Sequence, residues 1–329
     1  MKYFFYLTIG FCCWGMMGCT SAIKNNQAVF MADMTSRHQF DPEVLTDWFD
    51  QVEIKDDILK KIAKPSEALP WYKYRNIFLT TSRIDEGVQF WQANQAVLDA
   101  VEQQYGVPAA IIVAILGVET RYGQHPGKYR VIDALATLAF AYPPRSAFFS
   151  GELEQFLLLC REQGFEPLAL NGSYAGAMGM PQFMPSSFRH YAVDFDQDQR
   201  SDIWQNPADS IASIANYLAL NHWQRGGAVA APLTNPRQSN LYKNKLSQGL
   251  KPDMSVADLA RLDLQSAEPI SADAKVRLLA FAGVDGEQLW VGMDNFYTIT
   301  RYNHSPLYAL AVYQLSQAIV QKKQRFIYQ

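Results

Sequence analysis

The segment Ile111–Gly123, IIVAILGVETRYG, continues an apolar run that opens at Pro108 and closes on a charged acid, Glu119. Pro108 stands where a helix tolerates proline, at its start, so the run reads as an apolar helix with a carboxylate at its far end. Taking a carboxylate out of water is expensive unless something compensates it. One reading is structural: glutamate is a good helix former, and at a helix end it can snorkel into water beside Arg121. The other is chemical, because an apolar wall disfavours the ionised form, raises the carboxyl pKa and leaves a protonated acid near neutral pH.

The rest of the chain narrows the choice. At 329 residues, with 49% hydrophobic and 13% aromatic content, it can bury a large core as one big domain or two smaller ones. Its 29 basic and 32 acidic residues leave a net charge of −3, with no basic surplus to draw phosphates, so nucleic acid is not an expected partner. The five histidines, His38, His125, His190, His222 and His304, have no metal-ligand spacing, and no G-x-S-x-G elbow occurs.

The first 19 residues place Lys2 before an apolar, Gly-containing stretch that is short for a spanning helix, as in a signal peptide. Its end, MMGC, resembles the bacterial lipobox, with Met16 and Met17 in place of the commoner residues. The resemblance implies lipidation of Cys19 as the mature N-terminus, the alternative being an ordinary secretory signal cut elsewhere. Thr20 is not the aspartate that marks inner-membrane retention, so an outer-membrane anchor facing the periplasm is expected. Cys12 and Cys13 leave with the signal, and Cys160, among leucines, reads as a buried structural thiol rather than a nucleophile.

Beyond a polar tether near residues 20 to 30 the pattern is helical. Asp41 and Pro42 cap and open one helix, and Val88, Trp91, Leu98, Val101 and Tyr105 share a face that ends at Gly106. Further helices run to Gly164, from Pro207 through Leu218, and from Pro306. Between about residues 223 and 297 the composition turns to Gly, Pro and Asn. There Val276, Leu278 and Ala280 alternate before an Asp285–Gly286 turn, as in a small mixed or β insert. Downstream of Glu119 lies NGSYAGAMGMPQFMPSSF, residues 171–188, a Gly- and Ser-rich stretch without the lysine or spacing of a P-loop. Such a loop allows close backbone approach and suits an uncharged, hydroxyl-rich ligand.

In order along the chain, GVETRYG, GSYAGAMGMPQFMPSSF, DFDQDQRSDIW, NPADSIASIANYL and FYTITRYNHSPLYALAV resemble blocks of the membrane-bound lytic murein transglycosylase B family, from about residue 30 onward. The resemblance implies a mainly α, α+β fold: a lysozyme-like helical catalytic core with a smaller mixed/β insert. It implies that Glu119 is the sole catalytic acid/base in cleaving peptidoglycan between N-acetylmuramic acid and N-acetylglucosamine. Most glycosidases need a second carboxylate. Here the muramic acid's own C6 hydroxyl is implied to attack C1, giving a 1,6-anhydro product, and the intramolecular step is worth about 7 to 11 kcal/mol in good geometry.

From the same blocks, Ser173 and Gln182 are expected to hydrogen-bond the sugar or its acetamido group, and Tyr217, Tyr302, Asn303 and Tyr308 to line the cleft. Tyr74 is a further candidate, as is Arg145, a cation for a muropeptide carboxylate. Each tyrosine also has a plain reading as core with a satisfied hydroxyl. Asp194, Asp196 and Asp198 fall at positions one, three and five of an EF-hand-like loop, with the Arg200 carbonyl at seven. Gln199 replaces the glycine expected at six and Gln205 the glutamate at twelve. In the family's longer loop Asp209 could close the site; a structural calcium ion is the expectation there and a solvated acidic loop the alternative, while catalysis needs no cofactor.

The expected division is a signal peptide at 1–18, lipidated Cys19 and tether at 19–30, a helical catalytic domain at 31–222 including the loop 194–209, the insert at 223–297, and a last helix at 298–329 completing the domain. Peptidoglycan strands, and the outer membrane through the lipid, are the expected partners, and the chain is expected to act as a monomer. A hydrolytic muramidase and a non-catalytic peptidoglycan-binding lipoprotein stay open as rivals.

Overall fold

A computed structural model describes residues 15–63, 69–234, 241–246 and 249–327, with side chains from Ser21 to Arg325 within those ranges. The expected signal peptide falls mostly outside them, as does the Cys19 side chain. The protein is 58% helical and 11% strand, the mainly α class with a smaller β part.

The chain divides into two compact units, one made of Met1–Lys64, Tyr129–Leu170 and Tyr174–Gly176, the other of Pro65–Lys128, Asn171–Ser173 and Ala177–Gln329. The first unit is helical, with helices Gly15–His38, Pro42–Phe49, Asp56–Ile62, Val131–Ala141 and Ser146–Gln163. Residues 20 to 30, expected as a tether, are part of its first helix. Their composition is polar, yet no Gly or Pro breaks the chain between Gly18 and Pro42, and Phe30 anchors it edge-on to Phe49 and Phe140, with ring centroids 5.7 and 5.8 Å away. Asp41 caps the second helix as expected, accepting the Glu43 N–H at 2.8 Å.

The second unit is organised by the helix Ala109–Thr120. Ten of its twelve residues are buried, Ala109–Gly117 and Thr120, which requires neighbours on every side. Helices Thr81–Ala93, Gln95–Tyr105, Pro207–Leu220 and Pro306–Ile327 supply them. The single helical face read from Val88 to Tyr105 is two helices, because Asn94 turns out of the helix and its side-chain amide caps the Phe90 carbonyl at 2.9 Å. Gly106 ends the second of them in the left-handed conformation, φ 73°, as expected.

Residues 230–292, within the expected insert, hold a five-stranded antiparallel sheet in the order Met254–Ser255, Lys275–Gly283, Gly286–Gly292, Ala230–Thr234, Gln265–Ser266. The alternation read in the sequence is one of two buried faces. Val276 and Leu278 join Met254, Leu259 and Leu264 in a small core, while Leu279 and Phe281 join the helical core, where Phe281 meets Trp71 at 5.7 Å between ring centroids. Among the described residues no single helix is long and apolar enough to cross a membrane.

Candidate active site

Glu119 occupies the last turn of the buried helix, and the chain leaves that helix through three successive left-handed residues: Arg121 (φ 52°), Tyr122 (φ 60°) and Gly123 (φ 86°). Non-glycine residues avoid this region at a cost on the order of 1 kcal/mol each, so the surroundings must over-determine it. They do so from the helix Thr81–Ala93. The Arg121 guanidinium donates to both Glu86 oxygens at 2.6 and 2.5 Å, Tyr122 Oη donates to the Arg83 carbonyl at 2.7 Å, and Arg83 Nη1 donates to the Gly117 carbonyl at 2.7 Å. The Tyr122 hydroxyl fills space left by two glycines: a Cβ on Gly117 or Gly87 would meet it at 2.6 or 2.5 Å. Arg121 is thus committed to Glu86, and the structural reading of Glu119 as its surface partner does not describe the fold.

The Glu119 carboxyl faces tyrosines. Tyr308, 2% exposed, donates its hydroxyl to Glu119 Oε1 at 2.6 Å. Burial pushes the Glu119 pKa up to about 7, with the Tyr308 hydrogen bond pulling the other way. Burial also raises the Tyr74, Tyr302 and Tyr308 phenols, and the nearby Glu119 carboxylate raises them further, so all three keep their protons. The Tyr302 and Tyr308 rings lie nearly parallel, 7° apart, and Tyr217 meets Tyr302 edge to face at 4.8 Å. The Tyr302 hydroxyl donates to the Pro181 carbonyl and that of Tyr217 to the Arg301 carbonyl, each at 2.6 Å. Both hydroxyls are therefore already engaged by backbone carbonyls.

The Gly-rich segment is folded on itself. Ser173 exchanges hydrogen bonds with Ala177, its N–H to the Ala177 carbonyl at 2.8 Å and its Oγ accepting the Ala177 N–H at 3.0 Å. Gln182, itself left-handed at φ 53°, donates Nε2 to the Pro126 and Gly179 carbonyls at 3.0 and 2.9 Å. Both partners are obligate acceptors, which fixes the amide orientation and leaves Oε1 only the role of acceptor. Met178 and Phe183 are buried walls, Phe183 lying 5.8 Å from both Tyr217 and Tyr302. The turn after Glu119 presses against this segment at Gly127 (φ 106°), where a Cβ would sit 2.0 Å from the Gly172 carbonyl oxygen. Thr120 makes a second junction, donating Oγ1 to the Met180 carbonyl at 2.9 Å. Thr120, inside the ETRYG block, and Gly127, four residues beyond it, carry no local signal of these contacts, and sequence reasoning missed both.

Asn303 is exposed just past the helix Asp294–Tyr302. Arg145 belongs to the other unit, where its guanidinium lies over the Phe148 and Phe149 rings at 4.4 and 5.1 Å.

Of the residues expected to hold a metal, Asp194, Asp196 and Asp209 bring oxygens within 4.8 Å of one another. Asp198 is not in that group: its carboxylate accepts the Arg200 N–H at 2.9 Å. Asp209 is fully buried and accepts the N–H groups of Phe195 and Asp202, both at 2.8 Å. Burial nevertheless pushes its carboxyl up to about 6, and Asp196 and Asp194 add to the rise. Three converging hard oxygens with surplus negative charge fit a calcium ion. Gln199, at the glycine position, does take the left-handed conformation the turn demands, φ 75°.

Residues 23–317 match the transglycosylase SLT domain family. The membrane-bound lytic murein transglycosylase B of Escherichia coli (strain K12) is 42% identical over 313 residues, 92% of this chain and 85% of the relative. The Escherichia coli lytic transglycosylase Slt35, solved in complex with calcium, superposes with a TM-score of 0.84 at 42% identity, over 91% of this chain and 93% of that one. SltB3 from Pseudomonas aeruginosa, solved in complex with NAG-anhNAM-pentapeptide, superposes with a TM-score of 0.81 at 29% identity, over 91% and 79% of the respective chains.

Proposed function

The chain belongs to the transglycosylase SLT domain family, and from that premise we propose that it is a lytic murein transglycosylase whose single acid/base is Glu119. One observation carries the assignment to Glu119: a half-buried carboxyl at the end of the buried helix whose Oε1 accepts the Tyr308 hydroxyl at 2.6 Å and whose pKa its surroundings push up to about 7, with no second carboxylate, among the described residues, contributing to that rise. A hydrolase that activates water, or one that uses an enzyme nucleophile, needs that second carboxylate. An acid working alone needs a nucleophile supplied by the substrate.

Protonated Glu119 gives its proton to the glycosidic oxygen as the bond from C1 of N-acetylmuramic acid breaks, and N-acetylglucosamine leaves with that proton. The C6 hydroxyl then bonds to C1 and its proton passes to the Glu119 carboxylate, which restores the acid and closes the 1,6-anhydro ring. Tyr308 holds Oε1, so Oε2 is the oxygen free to carry the transferred proton. Gln182 Oε1 accepts an N–H or O–H of the sugar, the acetamido N–H being the natural donor, and Ser173 sits on the same loop. Tyr74, Tyr302, Tyr308, Tyr217 and Asn303 contact the glycan; Arg145, by its charge, suits a muropeptide carboxylate. Mass spectrometry of digested sacculi tests the reaction: fragments ending in anhydro-muramic acid are expected, and fragments one water heavier mean a hydrolytic muramidase.

The pH dependence has a definite sign. The acid must be protonated, so kcat/KM is expected to fall as pH rises through about 7. Tyr308→Phe removes the hydrogen bond that favours the carboxylate, so this alkaline limb should move to higher pH. A limb that stays in place would detach Tyr308 from the acid.

Asp194, Asp196 and Asp209 would hold a structural calcium ion, which supplies no step of the reaction. Calcium at about a hundred times its Kd should add about 2.7 kcal/mol to the unfolding free energy, and a chelator should remove it. Gln199→Gly should tighten the same loop by relieving left-handed strain of about 1 kcal/mol. An unchanged melting temperature with and without chelator argues against a bound ion. Cys19 carries the lipid that places the enzyme, as a monomer, at the outer membrane facing the periplasm.

A further inference from the structure

Thr120 follows the catalytic acid directly and is 1% exposed, so its hydroxyl cannot touch a substrate. That hydroxyl nonetheless bridges two segments. It donates to the Met180 carbonyl at 2.9 Å and accepts the Gly123 N–H at 3.0 Å. Gly123 is the last of the three left-handed residues that end the buried helix, so the second bond helps hold that turn. Met180 lies two residues before Gln182, and its own N–H is tied to the Ile203 carbonyl at 2.8 Å, so the carbonyl that accepts the Thr120 hydrogen bond belongs to a fixed strip of backbone. Gly179, beside it, approaches the same segment closely: a Cβ there would stand 2.5 Å from the Ile203 carbonyl oxygen.

The helix carrying Glu119 is thus tied to the loop carrying Gln182 through the Thr120 hydroxyl, while Gln182 Nε2 reaches the Pro126 carbonyl and Gly127 abuts Gly172 farther from the acid, seven and eight residues beyond Glu119. Proton transfer to a glycosidic oxygen tolerates little error between the acid and the groups that hold the sugar, and a misplacement of about 1 Å can cost roughly a hundredfold in rate. We infer that Thr120 is a positioning residue, whose hydroxyl sets the distance between the Glu119 carboxyl and the Gln182 loop. It acts through Met180 and Gly123 and takes no part in proton transfer. The inference rests on Glu119 as the acid.

The test compares Thr120→Ser, Thr120→Cys and Thr120→Val in the full chain, acting on soluble glycan strands, with thermal melting of each variant. Serine keeps the hydroxyl, cysteine keeps the size with a weak S–H donor, and valine keeps the shape with no donor. The expected result is a graded kcat: serine within about twofold of wild type, cysteine lower, and valine lower by about 10- to 100-fold, with KM changed less than about threefold. If valine does not fold, the serine and cysteine pair carries the comparison. Equal kcat in folded serine, cysteine or valine variants overturns the inference, as does a valine variant whose loss lies wholly in KM. Glu119→Gln run alongside separates the two levels: if it still turns over, the acid assignment fails whatever Thr120 does, and if it is silent while the Thr120 series is flat, only the positioning role fails.

Discussion

Glu119→Gln is expected to lower turnover on peptidoglycan by about a thousandfold or more, within the range attributed to general acid catalysis and near its upper end because the same group serves twice. The change is nearly isosteric and the glutamine can still accept from Tyr308, so binding of glycan strands should be largely kept. Release of anhydro-muropeptides at the wild-type rate would sink the catalytic role. The same variant has a stability signature of opposite sign. A carboxyl whose folded pKa stands at about 7, above its ordinary 4.5, binds its proton more tightly in the folded state. The resulting stabilisation is complete below pH 4.5 and is lost as pH rises through 7. Above that the wild type holds a half-buried carboxylate beside the Tyr308 hydroxyl, and glutamine avoids the burden. At pH 8 the variant should therefore be the more stable protein by about 1 to 3 kcal/mol, with the gap closing toward pH 5. A single set of melts across pH reads it, and an enzyme more stable without its acid is what a site strained for chemistry predicts.

Gly127→Ala should be the most damaging small substitution in the second unit. Two effects add. The residue sits at φ 106°, where an L side chain is strained, and its new Cβ would lie 2.0 Å from the Gly172 oxygen, 2.1 Å from its carbon and 2.5 Å from the Ser173 nitrogen. All three are backbone atoms, which cannot rotate aside. A loss of about 3 kcal/mol is expected, together with activity, because relief requires moving the peptide that carries Ser173. Gly226→Ala is the matched control: its φ is 70°, but nothing lies within 4 Å of its Cβ, so only the conformational cost of about 1 kcal/mol remains. Equal losses for the two would mean that the contact between the Gly127 turn and the Gly-rich loop carries no weight.

Particular residues show how far local reading reaches. Caps and breakers act within a few residues, so Asp41, Gly106 and Gly164 were legible, and the structure has them where expected. The polar stretch after residue 20 is helix rather than tether because polarity alone does not prevent a helix; what decides is the absence of a breaker and the docking of Phe30 on Phe140, 110 residues along the chain. The calcium loop was half legible. Alternating acids mark Asp194 and Asp196, but the turning of the Asp198 carboxylate to the Arg200 N–H and the burial of Asp209 depend on how the loop closes on the helix Pro207–Leu220.

For the site itself, composition alone determined that a carboxylate ends a helix apolar on all faces, and such a helix has nowhere to go but the centre of a core. Tertiary structure decided what the acid meets there. Tyr308 lies 189 residues beyond Glu119, and Thr120 reaches Met180 across 60. No local pattern encodes such pairs, because hydrogen-bond partners are selected by where the packed helices and the folded loop bring their ends, and only the packing of the whole unit determines that.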